Sequence, residues 1–202
     1  MSEPLKLTKL FHIYEVSGHL NHDTTYIGID FGTSTTVVSL ATYNPLTEEI
    51  ECRSLQLPQK DNLGTEMYGE LFPTVIAVNQ ATGKPIYVQG AYDLKWNPDY
   101  TFGVNLWHSF KMELGKDLGP RWYESLQSKI KSPQDATKIF FKFLKRSIKK
   151  AVESEGLPSK IKYAVSIPAS FESNQRKDLM DALAANCLLY TSPSPRDRTR
   201  SR

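Results

Sequence analysis

Three short β-type segments joined by turns constrain the fold more than any other feature of this sequence. Residues 26–30 and 35–43 are β-branched runs on either side of the turn 31–34, and residues 49–57 alternate as a third strand that ends at Pro58. Because connections this short hold no crossover helix, consecutive strands run antiparallel. The pattern predicts an antiparallel meander, preceded by an N-terminal extension, residues 1–24, with room for one added edge element.

The C-terminal half changes to a helix, strand, helix order. Ser132 followed by Pro133 predicts a helix start, and Gly156 with Pro158 predicts its end. The residues between them keep one small or apolar face at helical period. Residues 161–167 then predict a strand and residues 172–185 a second helix. With the meander, this order predicts an α/β fold in which helices flank a mixed sheet.

The middle of the chain predicts a smaller inserted α+β subdomain, residues 71–116. Residues 72–78 and 85–88 bracket the turn 79–84 and predict a hairpin, and the aromatic-rich residues 90–116 predict a helix, a loop and a helix. The polar residues 59–70 are expected to be an excursion between the parts. The core subdomain would then consist of residues 25–70 and 117–185.

The basic balance of the chain comes entirely from residues 187–202. This tail carries four Arg and one Asp, and the rest of the chain holds 21 basic and 21 acidic residues. Its Ser/Pro/Arg-rich sequence resembles one reading frame through a transposase adaptor used in sequencing libraries, so we expect a non-native tail outside the fold. A disordered tail that binds RNA or is phosphorylated is the alternative.

Charge and composition elsewhere favour a cytoplasmic chain that contacts neither nucleic acid nor membrane. The sequence lacks an apolar run of the length that a membrane span needs. The basic face of the helix that starts at Ser132 is flanked by acidic residues, which indicates a solvated surface. Cys52 without a partner predicts no disulfide, and His19 with His22 indicates a surface loop rather than a metal site.

The turn after the first strand carries the candidate chemistry. Asp30 at a strand end can hold Mg²⁺ through water, and Gly32 lets the backbone approach an anion closely. Thr33, Ser34 and Thr35 each offer a hydroxyl and a backbone N–H, and clustered donors of this kind can wrap terminal phosphates. A plain hairpin with a polar turn explains the same residues, and the chemistry alone does not separate the two interpretations.

Residues 28–33, Gly-Ile-Asp-Phe-Gly-Thr, resemble the first phosphate motif of the actin-like (ribonuclease H-like) ATPase superfamily. Three further segments resemble the seventy-kilodalton heat-shock (DnaK-type) chaperones within it. They are the proline-led strand 72–77, the Lys-x-x-x-Gly spacing of Lys111 and Gly115, and the strand-to-helix element 163–171 followed by Gln175 and Arg176. The resemblance covers residues 26–185.

The resemblance implies the N-terminal part of a chaperone-type ATPase, the first lobe of its nucleotide-binding domain. Asp30 would organise Mg²⁺, and Gly32 and the hydroxyl residues 33–35 would bind the phosphates of ATP or ADP, although family members often have Tyr where Thr35 stands. Lys111 would act on the attacking water and the transferring phosphoryl group. Pro168 and Arg176 match residues that relay the nucleotide state to a substrate domain.

For the parent protein, the resemblance implies ATP hydrolysis that drives a protein-folding cycle on unfolded peptide segments, together with co-chaperones. A carbohydrate kinase of the same superfamily is one alternative. A non-catalytic or filament-forming actin-like relative is the other. On any of these readings the chain holds only one wall of a nucleotide cleft, and the second phosphate motif and the adenosine-binding segment would follow residue 185.

Overall fold

The computed structural model describes residues 5–6, 21–44, 46–47, 49–118 and 129–188. These residues form a mixed α/β structure. The strands are β1 Leu5–Lys6, β2 Thr24–Asp30, β3 Thr35–Asn44, β4 Glu49–Ser54, β5 Leu57–Lys60, β6 Glu66–Gly69, β7 Leu71–Pro73, β8 Val75–Val78, β9 Pro85–Tyr87, β10 Leu106–His108 and β11 Lys160–Val165. The helices are α1 Val88–Asp93, α2 Pro133–Ser154 and α3 Ser173–Ala184, with 3-10 helices at Leu94–Trp96 and Phe110–Glu113.

The main sheet has the order β1-β4-β3-β2-β11, with β7 paired to β3. Strands β2, β3 and β4 form the predicted antiparallel meander, and β1 adds an edge strand beside β4. Strand β11 runs parallel to β2, with Val165 opposite Ile29. The parallel pair makes the sheet mixed and brings the carboxyl ends of β2 and β11 to the same edge.

Both predicted long helices form, and α2 begins and ends where Ser132 and Gly156 indicate. The Ser132 hydroxyl caps α2 by accepting a hydrogen bond from the Asp135 N–H at 3.1 Å. Gly156, with φ +67°, follows the end of this helix in the left-handed region that favours glycine. Helix α3 begins with a capping box formed by Glu172 and Gln175.

The predicted third strand and the excursion after it were partly wrong. Strand β4 ends at Ser54, and Pro58 lies inside a new strand, β5, which pairs with β6 as a two-stranded hairpin across residues 59–70. Asp61 organises the turn, because its carboxylate accepts hydrogen bonds from the Leu63 and Thr65 N–H groups at 2.9 and 2.8 Å. Hydrogen bonds from backbone N–H groups to the Asp61 carboxylate close the turn. An Asp at this position is a turn signal, which the sequence analysis missed because it treated residues 59–70 only as a polar segment.

Strands β8, β9 and β10 form a separate three-stranded sheet of order β10-β8-β9. The predicted hairpin forms between β8 and β9, and the chain then enters α1 and the adjoining 3-10 helix. The second helix predicted within residues 90–116 was wrong: Leu106–His108 forms β10 against β8, and only a 3-10 turn follows. Fully buried Trp107 anchors this strand, so tertiary packing decided its conformation.

The main core lies between the sheet and helices α2 and α3. Phe31, fully buried, is its centre and packs against Phe110, Phe140 and Phe141 with ring centroids 5.0–6.2 Å apart. Leu188, 1% exposed, belongs to the same core. The core therefore reaches two residues into the segment 187–202 that the sequence analysis set aside, while residues 189–202 lie outside the described residues.

Within the described ranges, the helices are too short or too polar to cross a membrane.

Candidate functional site

The carboxyl edge of the parallel strands β2 and β11 gathers polar side chains. Asp30 ends β2 with its side chain exposed, and Ser166 directly follows β11, also exposed. The Ser166 hydroxyl donates a hydrogen bond to Asp30 Oδ1 at 2.6 Å. In open α/β sheets, ligands bind outside the carboxyl ends of the strands, so this edge is a candidate ligand site.

The turn between β2 and β3 is held in one shape by glycine and by a neighbouring strand. A Cβ atom on Gly32 would lie 2.0 Å from the Thr35 carbonyl oxygen, so only glycine fits there. The Thr74 hydroxyl donates to the Gly32 carbonyl at 3.0 Å, and the Thr74 N–H donates to the Ser34 carbonyl at 2.9 Å. The turn is thus tied down at two carbonyls.

The predicted phosphate-binding residues lie on this turn with their side chains accessible. Thr33 is half-buried, whereas Ser34 and Thr35 are exposed. Thr74 binds this turn through the Gly32 and Ser34 carbonyl groups. The arrangement offers donors to an anion at the sheet edge.

Lys111 reaches this turn from a different layer. Its ammonium group donates a hydrogen bond to the Phe31 carbonyl, although the two residues are 80 positions apart. The same group lies 5.6 Å from the centre of the Phe31 ring and 5.7 Å from that of Phe171. The Lys111 side chain is therefore held between two aromatic faces and a carbonyl, with only 8% of the residue exposed.

Burial is the main influence on the charge of Lys111. It lowers the pKa of the amine from the usual 10.5, because loss of solvent disfavours the ammonium form, while the nearby Asp30 carboxylate acts in the opposite direction. A buried lysine with a perturbed pKa in a cluster of polar groups is a candidate for chemistry. The Asp30 carboxylate therefore partly offsets the effect of burial on the Lys111 pKa.

Two residues with positive φ, Ser109 and Gly115, flank the 3-10 helix that carries Lys111. Ser109, just before the 3-10 helix, has φ +57°, a conformation that a non-glycine residue adopts at some cost. Gly115, just after it, has φ +74°, and its N–H donates to the Asp178 carboxylate at 2.8 Å. The lysine turn is thereby fixed to helix α3.

Pro168 lies on the neighbouring loop between β11 and α3, and Arg176 lies in the first turn of α3. The Arg176 guanidinium donates to the carbonyls of Phe171 at 3.0 Å, Ala169 at 3.2 Å and Pro168 at 3.4 Å. This fork holds the loop against the start of α3. Because Phe171 also faces the Lys111 ammonium, the loop and the lysine share a contact.

The carboxylate that faces solvent at this sheet edge is that of Asp30. In the described part of the chain, no three His, Cys, Asp or Glu side chains converge on one point. Asp30 offers a single exposed carboxylate with one oxygen engaged by Ser166. Mg²⁺ commonly keeps several waters and binds through one or two carboxylates and substrate phosphates, so this donor set fits a magnesium nucleotide.

A cleft of about 450 Å³ lies elsewhere, between the β5–β6 hairpin, β9 and helix α2. Its apolar wall includes Tyr87 and Phe143, whose rings stack at 4.4 Å, and Lys60 and Lys150 lie at its rim. The cleft contains none of the residues that the sequence analysis selected.

The structure adds three residues to the site that the sequence analysis missed: Ser166, Thr74 and Phe171. Ser166 directly follows β11 and lies level with Asp30 in the parallel register, so the carboxyl end of a parallel strand was a usable signal. Thr74 carries no such signal, because its role depends on the pairing of β7 with β3. Phe171 acquires its position only through the folding of the loop before α3.

Comparison with known proteins does not assign the chain to a family. No protein-family model matches it, and no curated protein matches it. The structure defines the class of the protein as mixed α/β, with a polar site at the carboxyl edge of a parallel strand pair.

Proposed function

We propose that this chain is the first lobe of the nucleotide-binding domain of a chaperone-type ATPase that resembles the seventy-kilodalton heat-shock family. In this proposal the parent protein binds ATP with Mg²⁺, hydrolyses it in the cytoplasm and uses the cycle to act on unfolded peptide segments with co-chaperones. One observation carries the proposal: Lys111 contacts the carbonyl of Phe31, which places an ammonium group beside Asp30 and the hydroxyl turn.

Each predicted side chain has a chemical role that its surroundings support. Asp30, exposed at the end of β2, would hold hydrated Mg²⁺, and the ion when bound supplies positive charge to the phosphate oxygens. The hydroxyl and N–H groups of Thr33, Ser34 and Thr35 would bind phosphate oxygens. Gly32 makes room for the backbone turn that presents them.

Lys111 would supply the positive charge that offsets the charge developing on the transferring phosphoryl group, and would orient the attacking water. The low-dielectric surroundings formed by Phe31 and Phe171 strengthen that interaction relative to water. Arg176 and Pro168 would respond to the nucleotide through the loop that ends at Phe171.

Nucleotide titration followed by NMR amide shifts tests the proposal on the chain itself. We expect ATP with Mg²⁺ to shift the amides of residues 30–36, and Asp30→Asn to weaken that binding. Asp99→Asn removes an exposed carboxylate from a distant loop and serves as the matched control. Shifts confined to other parts of the chain, or an unchanged affinity in Asp30→Asn, would refute the proposed site.

Measurement of ATP hydrolysis distinguishes a catalytic role of Lys111 from a role in nucleotide binding. If the chain is the first lobe, as proposed, it supplies one wall of a nucleotide cleft, and we expect no steady ATP hydrolysis by the chain alone. In the parent protein, Lys111→Ala should lower kcat about a hundredfold, or roughly 3 kcal/mol, with a much smaller change in nucleotide affinity. Lys142→Ala, an exposed lysine of α2, is the control. An effect of less than twofold from Lys111→Ala would favour the kinase or non-catalytic alternatives.

A further inference from the structure

Ser166 is a polar residue at the candidate site to which the proposed function assigns no role. Its main-chain N–H donates to the Ile29 carbonyl at 3.0 Å, which continues the parallel ladder between β11 and β2 by one residue. That bond brings the Ser166 hydroxyl beside the last residue of β2. The hydroxyl donates to Asp30 Oδ1 at 2.6 Å.

This contact is of the stronger kind of hydrogen bond. An O–H group that donates to an ionised carboxylate forms a short bond of about 2.5–2.7 Å, and such bonds are roughly twice as strong as neutral ones. Asp30 and Ser166 are both exposed, so packing does little to restrict the carboxylate. The hydroxyl therefore limits the rotation of the Asp30 side chain and leaves its second oxygen, Oδ2, for another partner.

The contact joins two strands that are far apart in sequence. Asp30 and Ser166 are separated by 136 positions and meet only because β2 and β11 pair in parallel. Lys111 approaches the same turn from the 3-10 helix and donates to the carbonyl of Phe31, the residue after Asp30. A carboxylate fixed in this way is ready to bind a hydrated cation without first losing rotational freedom.

We propose that Ser166 is a positioning residue, whose hydroxyl orients the Asp30 carboxylate and thereby raises the affinity of the site for a magnesium nucleotide. This inference rests on the proposed function, and Ser166 acts through Asp30 rather than on the nucleotide. The role requires a hydroxyl group at position 166. Threonine satisfies that requirement and alanine does not.

The test compares nucleotide affinity with and without the cation. The dissociation constant of ATP is measured by NMR titration in excess chelator and again in Mg²⁺, and the ratio of the chelator value to the Mg²⁺ value isolates the contribution of the ion. We expect Ser166→Ala to reduce that ratio about fivefold, and Ser166→Thr to restore it. Ser170→Ala, an exposed serine on the same loop, should leave the ratio unchanged.

A double-mutant cycle with Asp30→Ala shows whether the effect passes through the carboxylate. If it does, Ser166→Ala changes the ratio in the wild-type background and has no further effect in Asp30→Ala. Thermal unfolding of each variant detects any loss of folding. Equal effects in both backgrounds, or failure of Ser166→Thr to restore the ratio, would overturn the inference.

The outcomes also separate this inference from the proposed function. Wild-type chain with no magnesium-dependent affinity for ATP overturns both. Wild-type chain that binds magnesium nucleotide through Asp30, with Ser166→Ala indistinguishable from it, overturns the role of Ser166 alone.

Discussion

The Gly115 N–H donates a hydrogen bond to the Asp178 carboxylate at 2.8 Å, and this contact joins the turn that carries Lys111 to helix α3. Gly115 lies directly against the start of that helix, where a Cβ atom would be 2.7 Å from the Gln175 nitrogen. The position of the buried lysine therefore depends on close packing between two backbone segments.

Gly115→Ala should destabilise the fold by about 2–3 kcal/mol. The φ of +74° strains any L side chain, and the added methyl group meets backbone that cannot move aside. Gly64→Ala is the control, because Gly64 has φ +86° with open space around it and should cost only about 1 kcal/mol. Urea unfolding of both variants measures the difference, and equal losses would contradict this account of the packing.

Thr74→Val should destabilise the turn that carries the candidate phosphate-binding residues. The buried Thr74 hydroxyl donates to the Gly32 carbonyl and lies 2.9 Å from the Thr36 hydroxyl, so its loss leaves polar groups unpaired, at a cost of about 1–3 kcal/mol. The double variant Thr36→Val with Thr74→Val should recover part of that loss. Chemical denaturation measures both, and a purely additive double variant would argue against a coupled pair.

The stability of the fold should carry a pH-dependent contribution from Lys111. In the folded chain, burial lowers the pKa of the Lys111 amine below the 10.5 that it has in the unfolded chain. At a pH between the folded and the unfolded pKa, the unfolded chain binds more protons, so the free energy of unfolding rises with pH. Burial raises the pKa of Tyr87 and of Tyr163, and these groups act in the opposite direction above about pH 10.

Comparison of wild type with Lys111→Met isolates the lysine, since both proteins contain the tyrosines. We expect wild type to gain stability relative to Lys111→Met as pH rises toward 10.5, because the neutral amine is less costly to bury than the ammonium. Urea unfolding from pH 7 upward measures the difference. A difference that stays constant with pH would mean that Lys111 is not desolvated.

The end of helix α3 predicts how far the fold extends along the chain. The Leu188 N–H donates to the Leu183 carbonyl and the Cys187 N–H to the Ala184 carbonyl, a Schellman arrangement with Cys187 at φ +52°. Leu188→Ala should cost about 2–3 kcal/mol, because the side chain is buried. Cys187→Gly should instead stabilise by about 1 kcal/mol.

Truncation tests the same boundary. The sequence analysis expects removal of the whole tail, residues 187–202, to leave the melting temperature unchanged; with Leu188 buried, we now expect this only of residues 192–202. Truncation after Asn186 also removes Leu188 and should lower the melting temperature by several degrees. Equal melting temperatures for the two truncations would show that Leu188 does not contribute to the core.

Local sequence signals account for the elements that formed as predicted. Strand β3 and helix α2 were evident from β-branched runs, from helical periodicity and from the caps at Ser132 and Gly156. Elements whose conformation depends on partners far away in the sequence were not predicted. Leu106–His108 became a strand because β8 lies beside it, and Leu188 joined the core because helix α3 turns it inward.

The candidate site divides in the same way. The sequence by itself determined that Asp30, Gly32 and three hydroxyl residues follow a strand, and that Lys111 precedes a glycine at fixed spacing. Only the tertiary structure decided that Lys111 meets Phe31 and that Ser166 meets Asp30, across 80 and 136 positions of chain. The physical reason is that periodicity and turn chemistry act within a few residues, whereas parallel strand pairing and core packing bring together groups whose separation the sequence does not encode locally.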